Sequence, residues 1–228
     1  PENTYMDTVA EHHRAGLYLI LGALVLWIVM KGCRIIQKIP EKYNKTVVGV
    51  FLGIIFAGQM VYIFTLKPGL YADPFTLAYT AKAGLPKSLE YYMIYPMQLV
   101  MTMLIHFWNK IVSLFGIADL LTADAVLAAV CMDISVYFAF KTVENILQDT
   151  QKARVLLVFA ALNPSIYLWG SYLYTHVVSL MFMTADIYFI LRLKGAQKKE
   201  HVICCTAIVM VLSYCGASIR SNGIFAIL

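Results

Sequence analysis

The short segment ADPFTLAYTAKA contains a carboxylate, Asp73, just after the second long apolar run of the chain and directly before Pro74. A carboxylate at this position could act as a general base toward an acceptor hydroxyl, or take part in a metal-assisted reaction. The same two residues could instead cap a short interfacial helix, with Asp at the N-cap and Pro at N1, because the apolar residues of 75–81 recur at helical spacing. The residue pattern leaves both interpretations open.

Two aromatic motifs, YYMIYPMQ and LNPSIYLWGSYLYTH, carry polar side chains where an apolar run starts or is interrupted. Tyrosines at a membrane interface are ordinary anchors, but each motif also contains a proline that breaks a helix. A break beside polar groups is compatible with the rim of a polar cavity, and equally with plain interfacial anchoring. The polar residues that could line such a cavity are Tyr95, Gln98, Tyr174, Thr175 and His176.

A cationic patch near the end of the chain, SIRSNG, contains Arg220 and Asn222 within an apolar run. An arginine that faces lipid at the centre of a helix costs about 2.5–3.5 kcal/mol, so Arg220 needs a partner. A fixed cation would suit a phosphate or pyrophosphate group. The alternative is an ion pair with one of three acids in the apolar runs, Asp124, Asp133 or Asp186, which could also be structural hydrogen-bonding residues or part of a proton path.

The elements that must position these residues are predicted to be membrane helices. The chain is 61% hydrophobic and 14% charged, whereas a soluble domain carries about 25% charged residues. A bilayer core needs about 20 apolar residues per helix, and only helices satisfy their own backbone there. We therefore expect an all-α, polytopic transmembrane bundle of about seven membrane segments, with short interfacial helices in the first outer loop. The predicted segments are 16–29, 46–66, 91–108, 120–140, 155–172, 176–193 and 202–228.

Two basic stretches, 31–45 and 192–200, predict the orientation of the chain, because Lys and Arg concentrate on the cytoplasmic side. The loop 67–90 and the turn at 174–176 would then both lie outside. Three apolar segments lie between those two outer sites, although an even number of crossings is required. One segment cannot be a simple span, and the 155–172 segment, which contains Asn-Pro, could be a pair of half-helices.

The organisation expected from the sequence is an N-terminal part, 1–45, followed by a membrane core, 46–228. The chain starts at Pro1 and stops at Leu228 inside an apolar run, so we expect a core that is truncated at its C-terminus. The net charge of +5 lies mainly in the two basic stretches, which indicates membrane topology and not nucleic-acid binding. The five cysteines have no metal-ligand spacing.

The order of these motifs resembles that of the GT-C superfamily of integral-membrane glycosyltransferases, especially bacterial mannosyltransferase-like and polyprenyl-phosphate-sugar-dependent members. The resemblance covers about 46–228 and implies that Asp73 is the essential acid of the first outer loop. It also relates Tyr95 and Gln98 to a YP motif, and Tyr174 and Thr175 to a YTD motif. This sequence has His176 where the family motif has Asp, so a mechanism that needs two paired carboxylates is in question.

The resemblance implies transfer of a sugar from a polyprenyl-phosphate donor to a glycan, lipid or protein acceptor on the outer face of a bacterial plasma membrane. Asp73 would be the catalytic base. Arg220 and His176 would hold the leaving phosphate, and Tyr95, Gln98, Tyr174, Thr175 and Asn222 would complete the substrate-binding set. The resemblance does not specify a cofactor, and a divalent cation, Mg²⁺ or Mn²⁺, is compatible with the family. The alternatives are a polytopic transporter or flippase of a lipid-linked or small polar substrate, and a non-catalytic glycan-assembly protein.

Overall fold

The computed structural model describes residues 2–66, 72–83 and 89–220. Within these ranges the chain is entirely helical, with eleven α-helices, a short 3-10 turn at Glu41–Tyr43, and no strand. The helices are α1 (Glu2–Gln37), α2 (Asn44–Leu66), α3 (Ala72–Ala83), α4 (Leu89–Ile94), α5 (Met97–Leu114), α6 (Leu120–Leu147), α7 (Thr150–Ala153), α8 (Val155–Leu162), α9 (Pro164–Trp169), α10 (Thr175–Lys194) and α11 (Lys199–Ile219).

Five helical stretches in the described part are long and apolar enough to cross a membrane. They are Leu17–Gln37, Glu41–Leu66, Leu120–Leu147, Thr175–Lys194 and Lys199–Ile219. The prediction of an all-α fold is therefore confirmed within the described residues, with five candidate membrane spans, but the predicted count of about seven membrane segments is not confirmed. The first basic stretch also differs from the prediction of a loop, because α1 continues to Gln37 and only a short connection remains before α2.

The predicted segment 91–108 divides at Pro96 into α4 and α5, and α5 packs across one end of the bundle. Near its start, Gln98 Nε2 donates to the Tyr174 hydroxyl, just before α10, and further along Trp108 Nε1 donates to the Ala123 carbonyl, near the start of α6. Both contacts lie at the same end of the bundle, because α6 and α10 start there. The buried face repeats every three to four residues through Gln98, Met101, Thr102, Ile105, Asn109 and Val112.

The predicted segment 155–172 divides at Asn163, as the proline in the motif suggested. The Asn163 side chain accepts from the Ser165 amide at 3.0 Å and caps α9, where Pro164 occupies the first turn. Since α5 lies across the end of the bundle, α6 and the α8–α9 pair run along the bundle between α3 and Tyr174. This arrangement has the even number that the parity argument required, although α8–α9 is not one of the five candidate spans in the described residues.

A fully buried arginine, Arg154, fastens the start of α8 to the connection between α1 and α2. Its guanidinium donates to the Asn44 side chain at 3.1 Å and to the carbonyls of Ile39 at 2.6 Å, Pro40 at 3.3 Å and Ile36 at 3.4 Å. The Ile39 and Pro40 carbonyls lie in the connection after α1, so the guanidinium holds this connection against the start of α8. The sequence reading did not identify Arg154.

The core of the described residues contains three apolar clusters, of which the smallest joins α2 and α6 through Ile63, Ala125 and Ala129. Of the two larger clusters, one joins α3, α5, α6, α10 and α11, and includes Leu77, Ile105 and Val178. The other joins α1, α2, α6 and α8, and includes Ile55 and Phe140. We call the end of the bundle with α3, α5 and the start of α10 the Asp73 end. The opposite end, with the α1–α2 and α10–α11 connections, is the basic end.

Replacement of Arg154 by Ala should destabilise the folded chain by about 3 kcal/mol or more, because three carbonyls and an amide oxygen would lose their charged donor in a buried place. Thermal unfolding in detergent measures this loss. Arg192→Ala is the matched control, since Arg192 is an exposed arginine at the same end of the bundle. Equal unfolding temperatures for the two variants would contradict the role assigned to Arg154.

Candidate functional site

The first turn of α3 carries Asp73, because the helix begins at Ala72. Asp73 is therefore the second residue of the helix, two positions after the N-cap and not at the N-cap as predicted, although a carboxylate in the first turn is still favoured by the helix dipole. The predicted apolar face is only partly the buried one, since Leu77, Ala78 and Ala81 are buried against the core while Phe75 is exposed. Asp73 itself is half-buried, so its carboxylate can be reached from solvent.

Three residues that the sequence singled out are joined by hydrogen bonds at the Asp73 end. The Tyr174 hydroxyl donates to Asp73 Oδ2 at 2.8 Å, and Gln98 Nε2 donates to the same hydroxyl at 3.3 Å. These contacts link residues that are 101 and 76 positions apart in the chain. Gln98 is buried, which fixes the direction of its amide toward Tyr174.

Tyr91 is a further member of this cluster that the sequence reading treated only as an interfacial anchor. Burial raises the pKa of Tyr91, and the neighbouring Asp73 carboxylate raises it further. The pKa of Tyr174 is raised for the same two reasons, burial first and the hydrogen bond to Asp73 second. Both phenols therefore stay protonated near neutral pH and can donate hydrogen bonds.

Tyr95 contacts Tyr91, which is a neighbour of Asp73. Its side chain is exposed, and its ring centroid lies 5.3 Å from that of Tyr91. Among the described contacts, Tyr95 touches the cluster through this aromatic pair and not through a bond to Asp73. The sequence motif therefore brings Tyr95 to the rim of the cluster and Gln98 into it.

On the other side of Tyr174 lie Thr175 and His176. Thr175 is buried at the start of α10, and the His176 ring stacks on the Tyr174 ring with the centroids 5.0 Å apart. Arg220 lies within electrostatic range of His176, because α11 ends at Ile219, which belongs to the same apolar cluster as Val177. Asp73, Tyr174, His176 and Arg220 thus follow one another across the Asp73 end.

The alternative prediction for Arg220, an ion pair with a buried acid, is wrong in the described part of the chain. Asp186 accepts a hydrogen bond from the Ser213 hydroxyl at 2.7 Å, and the two described ion pairs join other residues, Lys141 with Glu144 and Lys152 with Asp149. Arg220 follows the last residue of α11, so it lies at a helix end and not at a helix centre. Asn222, the remaining predicted site residue, lies outside the described residues.

An apolar cavity of about 540 Å³ adjoins the cluster between α6, α8–α9 and α10. Phe159, Val136 and Leu180 contribute to its apolar wall, while Asn163 and His176 supply polar groups. Asp73 is not among its lining residues, so the predicted residues do not all border one cavity. His176 is the member that belongs both to the cavity wall and to the cluster.

A metal centre is not evident within the described side chains, where no group of three His, Cys, Asp or Glu residues could hold an ion. The described neighbours of Asp73 are Tyr91 and Tyr174, and the Gln98 amide contacts Tyr174. His176 stands at the position where the motif of the resembled family has a second acid. The involvement of Mg²⁺ or Mn²⁺ stays a prediction from the resemblance.

No protein-family model, curated protein or solved structure matches this chain. The resemblance to GT-C glycosyltransferases thus rests on its motifs alone, and the function must be argued from the arrangement of the residues.

The bond between Tyr174 and Asp73 should be visible as energetic coupling. In a double-mutant cycle of Asp73→Asn and Tyr174→Phe, we expect a coupling energy of about 1 kcal/mol in unfolding experiments, because the two side chains share a charged hydrogen bond. The control cycle pairs Asp73→Asn with Tyr95→Phe, which should give a coupling near zero. Coupling of equal size in both cycles would argue against a specific Tyr174–Asp73 contact.

Proposed function

We propose that this chain is the membrane core of a glycosyltransferase that moves a sugar from a polyprenyl-phosphate donor to a hydroxyl acceptor. The observation that carries the proposal is the hydrogen bond from Tyr174 to Asp73. This bond joins Asp73 in α3 to Tyr174, just before α10. Asp73 is half-buried, so part of the residue is exposed to solvent. Such a carboxylate is suited to removing a proton from a bound hydroxyl.

In the proposed reaction Asp73 is the general base. A carboxylate has about four lone-pair positions, so the bond from Tyr174 leaves room for an acceptor hydroxyl. Tyr174 orients the carboxylate, and Gln98 orients Tyr174. As Asp73 takes the proton, the acceptor oxygen attacks the anomeric carbon of the sugar, and the bond between that carbon and the phosphate oxygen breaks.

The leaving phosphate needs positive charge and hydrogen-bond donors. Arg220 supplies a permanent cation, and His176 lies within its electrostatic range while it stacks on Tyr174. A cation that holds the departing phosphate stabilises the charge that develops in the transition state. Tyr174 contacts both the base and His176, so the substrate is proposed to lie beside it, between Asp73 and Arg220.

The lipid part of the donor fits the apolar cavity beside His176. Its volume of about 540 Å³ lies within the range of about 300–1,000 Å³ that is usual for ligand pockets. The wall is formed by helices that include the candidate spans α6 and α10, so a polyprenyl chain could enter it from the bilayer. The proposed partners are accordingly membrane lipid, the lipid-linked sugar, and a glycan, lipid or protein acceptor.

The proposed location is a bacterial plasma membrane with the site on its outer face. The two basic stretches lie at the end opposite to Asp73, since α2 and α10 each run from one end of the bundle to the other. The positive-inside rule favours the basic end in the cytoplasm.

A transporter or flippase is the second candidate function, and two observations favour it. Within the described structure, one carboxylate oxygen of Asp124 and one of Asp133 are buried without a hydrogen-bond partner. The α8–α9 pair is also a broken helix, which is common around the binding sites of transporters. A non-catalytic glycan-assembly protein is the third candidate, supported by His176 in the place of an acid.

Cysteine labelling in intact cells tests the orientation. In a background without the native cysteines, a cysteine at Gln197 should react only with reagents that reach the cytoplasm. A cysteine at Ala83 should react with impermeant reagents added outside. Both positions are exposed in the structure, so access depends on the side of the membrane. Labelling of Ala83→Cys from the cytoplasm alone would exclude an outer-face site.

Asp73→Asn should reduce sugar transfer by at least about a hundredfold, because a general base contributes about 10²–10⁴-fold to rate. The variant should stay folded and still bind the lipid-linked donor, since the amide keeps the shape of the carboxylate. His176→Ala should cost less, about tenfold, because positioning of the leaving group is only part of the barrier. Arg220→Ala should mainly weaken donor binding.

Transfer rates and donor binding by purified, reconstituted variants measure these effects. Asp133→Asn and Asp186→Asn serve as the comparison, because both acids lie within membrane helices and away from the cluster. If Asp73→Asn is as active as the parent while either comparison variant is inactive, the transporter function is favoured over the transferase.

A further inference from the structure

The acid Asp133 lies near the middle of α6, which at 28 residues is the longest of the five candidate spans in the described part of the chain. With a rise of about 1.5 Å per residue, it is about 20 Å from either end of the helix. If α6 crosses the bilayer, Asp133 lies close to the midplane. A carboxylate at this depth is costly unless a partner compensates it.

Asp133 lines an apolar groove between α2 and α6 with a volume of about 430 Å³. Leu52 and Phe56 form one wall, and Val130, Ile134, Tyr137 and Phe138 belong to α6. The groove is open to the side of the bundle, since Val130 is 38% and Tyr137 is 36% exposed. The α6 positions follow a helical repeat over about two turns, so the groove runs parallel to the two helices.

Asp133 makes no hydrogen bond or ion pair with any described side chain, and its Oδ1 atom is buried. Tyr167 is its closest described electrostatic neighbour, but the Tyr167 hydroxyl donates to the Ala161 carbonyl. Asp186, in contrast, accepts a hydrogen bond from Ser213 through Oδ2, although its Oδ1 is also buried without a partner. Within the described structure, Asp133 is thus an intramembrane acid whose cost this chain does not compensate.

This chain also offers no described basic residue at the depth of Asp133. Lys141, the basic residue that follows on α6, is about 12 Å nearer the basic end and is paired with Glu144. The other described Lys and Arg residues of the candidate spans lie near helix ends. A second copy aligned in the same bilayer would have the same distribution, so its described residues could not supply the cation.

We propose that the α2–α6 groove docks a transmembrane helix of a different protein, and that this helix presents a Lys or Arg to Asp133 at the bilayer midplane. The apolar walls supply shape for helix packing, and the carboxylate supplies the charge that selects the partner. The proposal is independent of the glycosyltransferase function, because it concerns a lateral surface away from Asp73.

The test uses the full chain, labelled with a fluorescent donor and reconstituted in phosphatidylcholine vesicles. The probe is a labelled single-span Leu/Ala peptide with one central Lys, and its matched control has Leu at that position. Energy transfer between the labels measures association. The Lys peptide should associate about tenfold more tightly than the Leu peptide, since a single polar contact between helices in a bilayer has about that effect.

Two variants assign the preference to the groove. Asp133→Asn and Asp133→Leu should bind both peptides equally, whereas Asp124→Asn, which changes another buried acid of α6, should keep the tenfold preference. A peptide whose Lys is moved two turns toward one end should bind like the Leu peptide, because its charge would miss the midplane. Thermal unfolding of the isolated chain should be unchanged or improved in Asp133→Leu, since no described partner is lost.

The proposal is overturned if the native chain binds the Lys and Leu peptides equally, or if the preference persists in Asp133→Leu. It is also overturned if the displaced Lys peptide binds as well as the central one. A large loss of stability in both Asp133→Asn and Asp133→Leu would show that Asp133 has a partner inside the fold, which would equally exclude the docking role.

Discussion

The buried guanidinium of Arg154 is the constraint from which the position of the candidate site follows. It fixes the start of α8 against the end of α1 and the beginning of α2. From that point α8 and α9 must reach the Asp73 end along α2. There Gln59 donates to the Ile166 carbonyl, and Gly58 leaves room for the Tyr167 ring, because a Cβ at Gly58 would lie 2.5 Å from that ring. Tyr174 meets Asp73 at the end of this path.

The position of Asp73 also depends on α5, because this helix supports α3. One face of α5 packs on the core through Met101 and Ile105, which holds the helix across the Asp73 end. From this position His106 Nδ1 contacts the Ala81 carbonyl at 2.7 Å, at the end of α3. Gln98 reaches Tyr174 from the same helix. Helix α5 therefore contacts both α3, which carries Asp73, and Tyr174. Its polar residues His106 and Gln98 make these two contacts.

The sequence predicted the elements that local pattern determines and missed those that depend on distant partners. Apolar runs and the Asn163–Pro164 break were recognised because lipid burial and a missing amide act locally. The run 91–108 was read as a span because its average composition is apolar, although its polar residues at three- to four-residue spacing favour an amphipathic helix. Arg154 was missed, because a lone arginine does not reveal acceptors that are 110 or more residues away.

The three acids within the membrane helices show why residue type alone could not locate the site. Asp186 is a structural hydrogen-bonding residue with Ser213, whereas Asp124 is buried near the Asp73 end and Asp133 lines an open groove. The same side chain thus has three environments, each set by its neighbours. Asp133 lies about 15 Å further along α6 than Ala123, which contacts α5. Asp133 shares no described partner with Asp73, and changes at sites without a shared partner usually have additive effects. A catalytic role for Asp73 and a docking role for Asp133 can therefore be true or false separately.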